Sequence, residues 1–394
     1  MYRLLLAIWL GSRLLSAAPV EDNQALAQKA VDAERRGNFA TAVSAFQDLL
    51  HNGADSPELR SNLGIAYFQM HDFSKALQQF RVALTNNPNS VPANLFSGLS
   101  LLNLQRPKES LPYLQKAHLA QPGDATTLLA LARAEIACNN LSLSHDFYQD
   151  ALRLDPKSAE AWYGLGITDR VLAERELKQS KRAAQGVNAS EAAKKSRAML
   201  DASAQAIGKA MQLDPGSVRA RMVLGESFRI AERYDLAVQE YKAATEQQPN
   251  LAPAWAGLAA AYSASGDDRN ALQSASRALE LEPKDAATDA LVAGTYLRLS
   301  NYAKAAPYAL RALQLQPDLS SAHVVLAKIY LSQQQPRKAL AELQSAAKDD
   351  TDGATYYLLA TTLRQLGKPA DAATAMRQYK RLHSEHVAAM SGVQ

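Results

Sequence analysis

The sequence predicts an all-α solenoid of about ten helix–turn–helix units, on the strength of three observations. The pattern of Pro57 to Ser90, PELRSNLGIAYFQMHDFSKALQQFRVALTNNPNS, returns along almost the whole chain at a spacing of 34 residues. Aligned on their eighth position, the copies place Ala30, Gly64, Gly98, Ala132, Gly166, Gly225, Ala259, Ala293, Ala327 and Ala360 in one column of small residues. Proline closes seven copies, at 88, 122, 156, 215, 249, 283 and 317. Within the second copy, Leu63 and Tyr67 are one turn apart and share a helix face. Gly64 lets a second helix approach at that level, where Ala76 and Ala83 flank one large knob, Phe80. Pro88 then ends the unit, because proline cannot continue a helix.

The order Leu63, Gly64, Tyr67, Ala76, Phe80, Ala83, Pro88 resembles the tetratricopeptide repeat. The resemblance implies a right-handed α–α superhelix whose first helices line a concave face. The first repeat, 23–56, keeps Phe39, Ala42 and Phe46 but has Lys29 where leucine is expected. That suits an end repeat with one side in water. Repeats 57–90, 91–124 and 125–158 follow with no residue gained or lost. The fifth, 159–217, opens on Trp162, Leu165 and Gly166, and then Ser203, Ala210 and Pro215 arrive 25 residues late. An elongated helical hairpin accounts for the delay, with turn chemistry at Gly186-Val187-Asn188. From Lys178 to Arg197 its one large apolar side chain is Val187, so the tip is expected to stand in solvent. From Arg170 to Arg197 eight Lys/Arg oppose three Glu, a surplus of five that exceeds the chain's net +4. Repeats 218–251, 252–285 and 286–319 are regular again. The ninth, 320–352, is one residue short and has no closing proline. The tenth, 353–386, carries Tyr379 where alanine is usual and ends in a polar cap of Lys380, Arg381, His383 and His386, before a tail at 387–394.

Residues 1–22 read as a leader. Arg3, the apolar run Leu4 to Leu10 and the small residues Ser16, Ala17 and Ala18 have the order of a secretory signal. Export to a bacterial periplasm or envelope, or secretion, is the expectation; an uncleaved anchor and a cytoplasmic chain are the alternatives. One cysteine, Cys138, excludes an internal disulfide, and its apolar run predicts a buried, inert thiol.

No residue pattern points to catalysis. There is no glycine-rich phosphate loop, HExxH or CxxC. His383 and His386 are one turn apart but have no third ligand nearby in sequence. Neither an enzyme nor a cofactor is expected. Binding is what the fold offers, and the resemblance implies contacts at positions 2, 5, 9 and 12 of each repeat. Those slots hold Ile65 and Phe68 in the second repeat, Leu95, Leu99 and Leu102 in the third, and Leu129, Arg133 and Ile136 in the fourth. The fifth offers Tyr163 and Arg170, the sixth Arg219, Met222 and Arg229. The groove is thus expected to be apolar in its N-terminal third and basic near the middle. It fits a peptide or helical segment of a partner protein, with apolar anchors on Leu95, Leu99 and Leu129 and an acidic portion reaching Arg170, Arg219 and Arg229. Two further readings stay open: a recognition subunit of an enzyme or envelope assembly, and a binder of nucleic acid or an anionic membrane surface through the basic hairpin 170–197. The absence of interleaved aromatics disfavours nucleic acid there.

Overall fold

A computed structural model describes residues 20–182, 187–350 and 352–391. Among them are twenty α-helices, one 3-10 turn and no strand. They fall into two compact units, one ending at Pro156 and the other beginning at Lys157, so the boundary lies just before the elongated fifth repeat.

The N-terminal unit holds four helix pairs: α1 (Val20–Arg35) with α2 (Phe39–His51), α3 (Pro57–Gln69) with α4 (Phe73–Asn86), α5 (Val91–Asn103) with α6 (Pro107–Ala120), and α7 (Ala125–Ala137) with α8 (Leu141–Leu154). The C-terminal unit holds six: α9 (Ala159–Arg182) with α10 (Val187–Leu213), α11 (Val218–Ile230) with α12 (Tyr234–Gln247), α13 (Ala252–Ser265) with α14 (Asp268–Leu281), α15 (Ala286–Arg298) with α16 (Tyr302–Leu315), α17 (Ser320–Ser332) with α18 (Pro336–Ala346), and α19 (Ala354–Gln365) with α20 (Pro369–Ser391). This is the all-α repeat solenoid that the spacing predicts.

The small residue at position eight does what its size suggests. A Cβ at Gly64 would lie 2.5 Å from the Phe80 ring, and one at Gly166 would lie 2.6 Å from Ile207. The large knob of the second helix therefore sits directly on first-helix backbone, and Phe80, Leu114, Ile207 and Leu343 are fully buried in this role.

The turn inside each repeat follows a rule that the sequence hides. In nine repeats the fifteenth residue is left-handed, at Gly37, His71, Gln105, Asn139, Glu232, Gly266, Ser300, Gln334 and Gly367, with φ between 56° and 84°. The next N–H then bonds back five residues, as Asp72 does to the Tyr67 carbonyl at 3.0 Å and Arg106 to Leu101 at 2.9 Å. That is a Schellman closure, which satisfies carbonyls at the end of the first helix. In several repeats the same next residue also starts the second helix: the carboxylate of Asp72 and the amide oxygen of Asn301 accept the N–H groups of Lys75 and Lys304.

Successive repeats are tied through position four. Asn94 donates to the carbonyl of Pro88 at 2.9 Å, and the Trp255 indole N–H donates to Pro249 at 2.9 Å. His323 sets Nε2 3.0 Å from the Pro317 carbonyl. The closing proline thus does more than stop a helix; its carbonyl receives the following repeat. Where the ninth repeat lacks that proline, the chain tightens into a 3-10 turn at Ala347–Asp349. Asp350 then accepts the N–H groups of Gly353 at 3.0 Å and Tyr356 at 2.8 Å.

The fifth repeat is the elongated hairpin expected, with α9 of 24 residues and α10 of 27. Its turn at Gly186 lies outside the described residues, as does the leader up to Pro19. α20 packs on both α9 and α10, while the tip side chains from 178 to 190, expected in solvent, lie outside the described residues. α20 itself runs unbroken to Ser391, past the repeat end expected at 386. No helix among the described residues is long and apolar enough to cross a membrane.

Candidate functional site

The N-terminal slots turn out to be largely core. Leu95, Leu99 and Leu129 are only 4%, 7% and 9% exposed, so they cannot serve as open docking anchors. The reason is visible in α5, where every residue from Ala93 to Leu101 is buried. α3 and α7 flank this helix, α4 and α6 also pack on it, and Leu95 and Leu99 join Phe96, Leu131 and Ala134 in one cluster. Ile65, Phe68 and Leu102 are half-buried against the same cluster. Phe68 meets Phe96 edge-on at 5.1 Å and Phe73 at 5.4 Å, a packing role. Arg133 is exposed and Ile136 half-buried on α7. Cys138 is half-buried at the C-cap of α7, less covered than its apolar run suggests, and burial pushes its thiol up.

The C-terminal slots are more open and more polar. Tyr163 is half-buried on α9, and burial raises its hydroxyl against the lowering effect of Arg219 and Arg170. Arg219 is exposed on the first turn of α11, one turn from the half-buried Met222. The expected basic character is mostly cancelled, however. Arg229 grips Glu226 with two hydrogen bonds, Nε to Oε2 at 2.8 Å and Nη2 to Oε1 at 2.6 Å. The Tyr241 hydroxyl, from α12, donates to the same carboxylate at 3.0 Å. Arg170 pairs with Glu174 on α9. Burial works to raise the Glu226 carboxyl, but the hydrogen bonds from Arg229 and Tyr241 and the charges of Arg229 and Arg170 outweigh it and hold the group below the usual range. The same pairing, led by the hydrogen bond to Glu226, keeps the Arg229 guanidinium above its ordinary value. The middle of the face is therefore a closed ion-pair network, with Arg219 at its edge.

The Glu226–Arg229 pair was readable from its i, i+3 spacing on one helix. Its Tyr241 partner was not, because that residue belongs to the second helix of the repeat. Among the described residues, no group of three His, Cys, Asp or Glu is arranged to hold a metal. The side chain of His386 lies outside that description. Two surface hollows, of about 280 and 270 Å³, sit by Leu26 and Asn52 and by Tyr113 and Asn94. Both fall below the ~300 Å³ at which small-molecule sites usually begin.

Stacked helix pairs carrying a mixed polar and apolar face define a repeat scaffold. The chain is a tetratricopeptide-repeat protein: one model described as tetratricopeptide repeat matches residues 28–91 and 188–252, and a second matches 252–285. A model described as anaphase-promoting complex, cyclosome, subunit 3 matches 300–379. Among curated proteins the chain is similar to the general transcriptional corepressor ssn6 of Schizosaccharomyces pombe, 28% identical over 152 residues, and to a CTR9 homolog of Arabidopsis thaliana, 26% identical over 137. These alignments cover 38% and 34% of this chain but only 14% and 13% of those proteins. Among solved structures, yeast Tom70 aligns over 94% of this chain and 95% of its own at 14% identity, with a TM-score of 0.44.

Proposed function

We propose that this chain is a non-catalytic protein-interaction scaffold that holds a segment of a partner protein on the first helices of its C-terminal unit. One observation supports that placement above all: on α11, Arg219 is exposed and Met222 and Glu226 are half-exposed, while Leu95 and Leu99, which hold the slots of Met222 and Glu226 on α5, are buried. The segment's apolar residue would rest on Met222 and its acidic portion would meet Arg219. Arg229 and Arg170 already have carboxylate partners and would act as framework. On the N-terminal unit, Arg133 and Ile136 are the slots best placed to add contacts.

The test is affinity capture from the native cell with the full chain and with Arg219→Glu/Met222→Asp. Loss of the same partner in the double variant, with helical content kept, supports the reading. Equal recovery of that partner would reject this face as the site. Export by the leader 1–22 belongs to the same proposal, and sequencing the N-terminus of the protein from its native source tests it.

A further inference from the structure

One hollow of the N-terminal unit, away from the first-helix slots, has an unfinished balance of charge and hydrogen bonds. It is the hollow of about 270 Å³ among α4, α5 and α6, lined by Arg81 and Thr85, by Asn94, and by Tyr113 and Lys116. No acid lines it. Asn94 is 1% exposed, and its Nδ2 is spent on the carbonyls of Pro88 and Ser90, each at 2.9 Å. Its Oδ1 is buried and accepts from no donor among the described residues. A buried oxygen in that state is costly, so it favours whatever brings a donor. Arg81 and Lys116 are exposed and form no ion pair among the described residues. The Arg81 charge reaches Glu109, but Arg106 holds both oxygens of that carboxylate, at 2.7 and 2.6 Å.

The eighth repeat shows the same slots with their set complete. Asn94, Tyr113 and Lys116 stand at positions 4, 23 and 26 of repeat 91–124, and Asp289, Tyr308 and Arg311 stand there in repeat 286–319. Asp289 is fully buried. Arg311 donates from Nε to its Oδ2 at 2.7 Å and from Nη2 to its Oδ1, and the guanidinium lies 5.1 Å from the centre of the Tyr308 ring. The sixth and ninth repeats also set a carboxylate against position four, Glu240 against Arg221 and Glu342 against His323. Repeat 91–124 keeps the ring and the cation but has an amide where the eighth repeat has its carboxylate. The missing anion is not supplied by the described residues.

We propose that this hollow is a second protein-binding site, which takes the carboxylate side chain of an acidic residue in a partner's segment. The carboxylate pairs with Lys116 and Arg81, with the Tyr113 hydroxyl as a further donor. The segment's own backbone N–H serves Asn94 Oδ1, directly or through one water. The hollow is small for a metabolite but admits one acidic side chain. A DNA phosphodiester would answer the cations, yet it carries no N–H or O–H beside its charge and leaves the amide oxygen unpaired. The site lies on α4 to α6, so it stands or falls apart from the reading of α11.

The experiment follows the side-chain amide signal of Asn94 by NMR, in the full chain with isotope-labelled asparagine, during titration with a penta-glutamate peptide. A saturable shift is expected with penta-glutamate and none with penta-glutamine. Arg81→Ala/Lys116→Ala, both on the surface, should weaken the titration about tenfold. Lys29→Ala/Arg36→Ala removes the same charge from the surface of α1 and should leave it unchanged. Asn94→Asp supplies the carboxylate internally, as in the eighth repeat, and should abolish the peptide's effect on labelled Tyr113. Arg219→Glu/Met222→Asp should leave the Asn94 shift intact, which separates this site from the face on α11. An Asn94 signal that ignores penta-glutamate, or a titration that keeps its full strength in Arg81→Ala/Lys116→Ala, would overturn the proposal. An equal shift from a thymidine oligonucleotide would overturn the acidic peptide as occupant.

Discussion

The same slots of the repeat have opposite fates in the two units. In α5, positions five and nine hold Leu95 and Leu99, and both are buried; in α11 they hold Met222 and Glu226, and both are half-exposed. Leucines on neighbouring first helices interlock and turn the face into core. A flexible methionine beside an ion pair leaves it open. The slot number alone therefore does not mark an interface; what fills it, and what fills its neighbours, decides. The comparison breaks most directly by putting a charge into each slot. Leu99→Asp buries an unpaired carboxylate in a cluster that also loses its packing, a cost of about 4 kcal/mol or more. Met222→Asp leaves its carboxylate within reach of water and costs about 1 kcal/mol or less. Urea unfolding of the two variants checks this, and equal losses would erase the distinction between the faces.

A second contrast concerns backbone approach. Gly64 and Gly98 in the N-terminal unit lie 2.5 and 2.4 Å, by their would-be Cβ atoms, from Phe80 and Leu114, whereas Gly294 in the C-terminal unit has nothing within 4 Å. Gly64→Ala should cost about 1–3 kcal/mol through overpacking. Adding Phe80→Leu should return part of it by making room. Gly294→Ala, in the middle of α15, should gain up to about 1 kcal/mol from helix propensity alone. Thermal melts of the four proteins rank these effects.

Acidity should separate the units by sign. Burial lifts the Glu34 carboxyl, on α1, from 4.5 to about 7. A raised carboxyl binds its proton more tightly folded than unfolded, so stability is lost as pH climbs from about 4.5 to about 7. Allowing for its partial exposure, the effect is about 1–2 kcal/mol. Glu226 is held below its ordinary value, so its contribution is present above that value and is lost as pH falls through the folded one. Exchange protection followed against pH should therefore fall in α1–α2 toward neutrality and in α11–α12 toward acid. Glu34→Gln flattens the first trend, and Glu226→Gln flattens the second.

Much of the fold was legible because three independent marks coincide: a 34-residue period, a small residue at position eight, and a closing proline. Each is imposed by local packing, so each survives in sequence. The face was only partly legible. Leu95 reads the same whether or not α3 and α7 cover it, and its burial depends on residues one repeat away. The contact of α20 with the hairpin was hidden altogether, since it joins segments at opposite ends of the C-terminal unit.

The left-handed turn residue was legible only in column, and it supports the finest comparison, between repeats that have glycine there and repeats that do not. Gly37, Gly266 and Gly367 adopt φ of 70–84° at no side-chain cost, while Gln105 at 58° and Ser300 at 56° hold a Cβ against the following carbonyl. Gln105→Gly and Ser300→Gly should each relieve about 1 kcal/mol of strain, less what the unfolded chain gains in freedom, for a net stabilisation of a few tenths to 1 kcal/mol. Gly37→Ala should lose a similar amount. The Schellman bond from Arg106 to Leu101 must survive the change, which amide exchange at Arg106 reports. A destabilised Gln105→Gly with that bond intact would mean that the turn draws its shape from the glutamine side chain, and the shared geometry of the nine turns would then have more than one cause.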